Sequence, residues 1–189
     1  MGRKRRSRRD EERGGLARPQ VLHPYLGGYP LQLQERALSL LEGGELGEHL
    51  LRRYPLESCH EYRSDSQLWT YTQALKRRFM KSAPPLSKVS YDPKLRAAQR
   101  ALGIHVNAAR VQGGKLRAKR EIKVDQLFRV APLPFLNMII AHELAHLRER
   151  EHNRAFYQLC EHIESDYHQL EFDLRLYLLY REQRGDLYT

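Results

Sequence analysis

The run His142-Glu143-Leu144-Ala145-His146, with His152 six residues further on, constrains this 189-residue chain more than anything else in it. As a pattern it is H-E-x-x-H-x5-H. Residues four apart on a helix share one face at about 5–6 Å, so His142 and His146 can reach a single metal ion. Glu143 lies beside them, where a carboxylate can take a proton from metal-bound water. The flanking sequence supports a helix. Pro132 and Pro134 suit its first turn. Phe135, Met138, Ile139, Ile140, Leu144 and Leu147 give it a broad apolar face, and Arg148 and Arg150 suit the negative end of its dipole.

His152 needs the helix to stop. On an uninterrupted helix it would lie about 120° around the axis from His146, too far round to share the ion. A common site therefore requires a break within residues 147–151, where neither Gly nor Pro is present. Asn153 is a good N-cap for a second helix through Phe156, Leu159, Cys160 and Ile163, which would set His152 just ahead of that helix and facing back. Glu164 and Asp166 are the rival third ligands. His152 is preferred because three imidazoles with an open fourth position form a recognised catalytic zinc set. The same histidine spacing occurs in metzincins, but Glu149 stands where their glycine belongs, and no methionine follows the motif.

The stretch Ile140-Ala141-His142-Glu143-Leu144-Ala145-His146-Leu147, followed by His152-Asn153-Arg154-Ala155-Phe156-Tyr157, resembles the YgjP-like metallopeptidase domain, a relative of the WLM and SprT-like zinc proteins. The resemblance covers roughly residues 85–168. It implies that a short β-hairpin precedes the H-E-x-x-H helix and that the third histidine opens the next helix. It also implies that His142, His146 and His152 bind zinc, one ion per chain, with Glu143 as general acid/base. Many members carry Trp-Gly-Ser-Cys before the second hairpin strand; this chain has Val111-Gln112-Gly113-Gly114 instead, so no role of that Cys or Trp transfers.

Charge and cysteines narrow the class further. Cys59 and Cys160 are far apart and form no C-x-x-C, which points away from a disulfide framework and toward a reducing, cytoplasmic setting. Ser58-Cys59-His60-Glu61 is taken as ordinary core or surface. No run approaches 18 apolar residues, so no transmembrane helix or membrane partner is expected. The net charge of +10 is uneven: residues 1–19 hold eight Lys/Arg against three Asp/Glu. Asp10-Glu11-Glu12 follows the basic start in place of an apolar segment, so no signal peptide is expected. It is expected to be a disordered arm, either a solvating tail or a contact for nucleic-acid phosphates.

Along the rest of the chain, apolar spacing predicts helices at 31–41, 46–53 and 66–80, closed by Gly43-Gly44, Pro55 and Pro84-Pro85 respectively. Residues 87–91 are extended in type. Ile104–Val111 and Lys119–Val124 suggest a hairpin about Gly113-Gly114. Arg110, Lys115, Arg117, Lys119, Arg120 and Lys123 would make that hairpin basic and able to guide an anionic substrate. Residues 170–180 predict a final helix.

The expected fold is α+β, a zincin-like metallopeptidase core of hairpin, motif helix and following helix. The expected organisation is a basic arm (1–19), a helical N-terminal subregion (20–82) and a core with a C-terminal helix (83–189). The leading expectation of function is a zinc metallopeptidase acting on a peptide or protein, with Tyr157, Tyr167 and His168 as candidate stabilisers of the developing oxyanion. One alternative keeps the site and changes the substrate to a nucleotide or another phosphate anhydride or ester. The other is a nucleic-acid-binding module with structural zinc.

Overall fold

The computed structural model describes residues 21–95 and 120–189. Among these, the helices are α1 (Leu31–Glu42), α2 (Leu46–Arg53), α3 (Asp65–Phe79), α4 (Leu133–Ala145), α5 (Arg154–Ile163) and α6 (Tyr167–Arg184), and the strands are β1 (Lys88–Asp92) and β2 (Glu121–Asp125). The fold is α+β.

Helix boundaries follow local chemistry. α1 starts after Pro30 and runs out at Gly43-Gly44, where Gly44 takes φ +79°, a backbone that a side chain would strain. α3 opens with a reciprocal capping box: the Ser64 hydroxyl accepts from the Gln67 amide, and the Gln67 side chain accepts from the Ser64 amide. Gly47 lets α2 press against α6, since a Cβ at that position would come within 2.8 Å of the Tyr180 ring.

α4 is the spine of the core. Eight of its thirteen residues are buried, among them Phe135, Leu136, Ile140 and Leu144, and a helix that is apolar nearly all round must be covered on most sides. α5, α6 and β2 provide part of that cover. Each fully buried large side chain contributes about 1.5–3 kcal/mol relative to exposure. The same buried cluster takes in Leu41, Leu46 and Leu50 of α1 and α2.

β1 and β2 pair in parallel, Lys88 opposite Glu121 and Tyr91 opposite Val124. The hairpin partner expected at Ile104–Val111 lies outside the described residues, as do the basic arm, Val111–Gly114, and Arg110, Lys115, Arg117 and Lys119 of the basic cluster. Arg120 and Lys123 are exposed, and Lys123 is already paired with Asp92 at 2.9 Å. Among the described residues, no helix is long and apolar enough to cross a membrane.

Candidate metal centre

α4 ends at Ala145 without Gly or Pro. Its last turn tightens: the Leu147 amide donates to the Leu144 carbonyl at 3.0 Å and the Arg148 amide to the Ala145 carbonyl at 3.0 Å. These shorter-range bonds close the open carbonyls of the helix end. The chain then turns back to Asn153, whose Oδ1 accepts from the Phe156 amide at 2.9 Å and starts α5. The Asn153 Nδ2 donates to the Glu149 carboxylate at 3.2 Å, so one side chain both opens the new helix and braces the loop.

This break brings the three histidines together. His146 Nε2 lies 3.2 Å from His142 Nε2 and 3.1 Å from His152 Nε2. One ligand atom from each of the three lies within 4.8 Å of the others. All three rings are half-buried and rest on Phe156, which is fully buried, at centroid distances of 5.0, 4.6 and 4.6 Å from His142, His146 and His152. Phe156 thus forms an apolar floor that limits how far the rings can tilt.

The Nδ1 atoms of two of the rings are anchored behind that cluster. His146 Nδ1 is 3.0 Å from the Glu149 carbonyl. A carbonyl only accepts, so Nδ1–H donates, and in the neutral ring Nε2 presents its lone pair to the centre. His142 Nδ1 is 2.7 Å from the hydroxyl of Tyr167, the first residue of α6. Glu143 is half-buried on α4 next to His142.

Other residues singled out from sequence are distributed differently. Glu164 and Asp166 line a separate cleft of about 410 Å³ together with Arg53, Tyr54, Asn137 and Gln169, and neither joins the histidine group. His168 is exposed and pairs with Glu161 at 3.2 Å. Tyr157 is half-buried at the rim, its ring 6.2 Å from that of His152. Tyr167 is 1 % exposed and lies behind His142, so it braces a histidine and is not open to a substrate. The Glu149 carbonyl was invisible to sequence reasoning because a backbone acceptor has no side-chain signature. Tyr167 was noticed, but 25 residues of separation gave no sign of what it touches.

A helix that ends in H-E-x-x-H and folds back to deliver a third histidine defines a metal-dependent hydrolase class, and the comparisons agree. The sequence model of the "YgjP-like, metallopeptidase domain" family matches residues 21–177, and the chain belongs to that family. It is similar to the UTP pyrophosphatase of Escherichia coli (strain K12), with 56 % identity over 154 residues, covering 82 % of this chain and 91 % of that protein. No solved structure matches the chain.

Proposed function

We propose that this protein is a zinc-dependent nucleotide hydrolase that splits UTP into UMP and pyrophosphate at the histidine centre. The observation that carries the metal-hydrolase reading is the convergence of His142, His146 and His152 on one point. The substrate is supported by the name of the 56 % identical relative. The donor set fits the ion: imidazole nitrogens suit zinc, and three protein ligands leave a position for water. In this reading residues 83–189 form a zincin-like core, with the helices of residues 20–82 as its flank.

Zinc held by His142, His146 and His152 would supply Lewis acidity and lower the pKa of a bound water. Glu143 takes the proton of the attacking water and returns it to the leaving pyrophosphate oxygen. The water oxygen forms one new P–O bond as the anhydride P–O bond breaks, so one water is consumed per UTP. Phe156 keeps the far side of the centre dry, which strengthens the electrostatic interactions within it.

The H-E-x-x-H helix and the name of the family favour a second reading, a metallopeptidase in which the same water attacks a peptide carbonyl. The deciding experiment offers the zinc-loaded chain UTP and a mixed peptide library side by side, with wild type and Glu143→Gln. Pyrophosphate release from UTP, lost by about 10²–10⁴-fold in Glu143→Gln while zinc content stays at one per chain, is the expected result. Peptide cleavage with UTP untouched would move the second reading to the front. Zinc bound with neither substrate turned over would favour a structural-zinc module.

A further inference from the structure

We infer that Tyr167 is a positioning residue of the metal centre, its hydroxyl accepting the Nδ1 proton of His142 and holding that ring with its Nε2 lone pair toward His146 and His152. This rests on the metal-centre reading above. It is carried by the 2.7 Å contact between Tyr167 Oη and His142 Nδ1 and by the place from which the hydroxyl comes.

Two arrangements compete for this contact. If Tyr167 donated its proton to Nδ1, His142 would carry its own proton on Nε2, pointing into the cluster toward His146 Nε2 at 3.2 Å. A metal would then have to displace that proton. If Tyr167 sends its proton elsewhere, its oxygen is left to accept from Nδ1–H, and Nε2 is ready to ligate. Geometry favours the second arrangement: the Nε2 atoms of His142 and His152 lie 3.2 and 3.1 Å from His146 Nε2, so Nε2 is the atom of His142 turned to the shared centre and Nδ1 is the nitrogen left to carry the ring proton. The proton order is then Nδ1–H of His142 to the tyrosine oxygen.

Tyr167 is also well held. Its ring is 1 % exposed and lies 19° from the plane of the His142 ring. It begins α6, which Leu170, Leu174, Tyr177 and Leu178 fix in the core. A hydroxyl delivered from so anchored a helix end adds little entropy cost when it orients a ligand. The C-terminal helix is therefore part of the metal centre as well as of the core.

The test uses the full chain as wild type and Tyr167→Phe. Zinc affinity is measured by chelator competition, the apo thermal midpoint by circular dichroism, and the His142 tautomer by imidazole 15N shifts in the apo protein. Removing the hydroxyl is expected to weaken zinc binding by about 10–100-fold, to leave the apo midpoint near that of wild type, and to turn His142 from mainly Nδ1–H into a mixture. In the apo wild type His142 is expected to be mainly Nδ1–H; mainly Nε2–H there overturns the inference, and that reading decides the matter should Tyr167→Phe not fold. Unchanged affinity and an unchanged tautomer in folded Tyr167→Phe also overturn it. If wild type itself binds no zinc, the metal reading falls; the tautomer shift in Tyr167→Phe then still supports or overturns the role of the hydroxyl.

Discussion

His60 and the histidine cluster show two uses of the same side chain in one fold. His60 is 5 % exposed and matched on both sides by backbone: Nε2–H donates to the Phe128 carbonyl at 2.7 Å, and Nδ1 accepts from the Tyr62 amide at 3.1 Å. As a neutral ring it has one donor and one acceptor, and both are satisfied. In the cluster, His142 and His146 also turn Nδ1 to the protein, but the Nε2 of His146 lies 3.2 Å from that of His142 and 3.1 Å from that of His152. What separates a core histidine from a candidate ligand is where the second nitrogen points. Burial alone does not decide it.

The largest effect should come from breaking the cluster. His152→Ala is expected to abolish stoichiometric zinc and to lower hydrolysis by more than the roughly 100-fold upper range for outer-shell partners, measured by elemental analysis and initial rates. His60→Ala should do the reverse. It strands the Phe128 carbonyl and the Tyr62 amide, so it should cost about 1–3 kcal/mol of stability in urea unfolding and leave zinc content at the wild-type value. Loss of zinc in His60→Ala would mean that the two histidine environments are coupled.

pH sharpens the same contrast. Burial, the largest cause, lowers the His60 pKa from its ordinary 6.5. The unfolded chain therefore takes up the proton first as pH falls. The stability that His60 contributes is intact above about 6.5 and is lost progressively between that value and the lower folded one. In urea titrations from pH 7 to 5, wild type should lose stability faster than His60→Gln, by at most about 1.4 kcal/mol per pH unit. Equal slopes would show that His60 is not a titrating core residue.

Much of this was legible in sequence because it is local. Predicted helices at 31–41, 46–53 and 66–80 correspond to α1, α2 and α3 within a residue, since Gly43-Gly44, Pro55 and Pro84-Pro85 are short-range signals. The strands expected at 87–91 and Lys119–Val124 are β1 and β2, but their parallel pairing with each other was not foreseen, because pairing across some thirty residues leaves no local mark. The end of α4 was legible only as a requirement. Nothing in Leu147–Glu151 breaks helices, and the stop comes from the tightened last turn together with the cap at Asn153. The hydroxyl of Tyr167 against His142 depends on how α6 docks on α4, which no spacing encodes.

Asn153 is where that dependence can be measured most finely. Its cap on α5 resembles that of Ser64 on α3: each side-chain oxygen accepts from a backbone amide three residues on, at 2.9 and 3.2 Å respectively. Replacing either with Ala should cost about 1 kcal/mol of stability. Only Asn153 follows a proposed ligand directly and also holds Glu149, whose carbonyl fixes His146. If the cap energy is shared with the loop, Asn153→Ala should weaken zinc binding by up to roughly fivefold, the equivalent of about 1 kcal/mol, whereas Ser64→Ala should leave affinity unchanged in the folded protein. Chelator competition on both variants makes the comparison. Equal affinities would assign the positioning of His152 to Phe156 and the tightened turn, and would remove Asn153 from the metal centre.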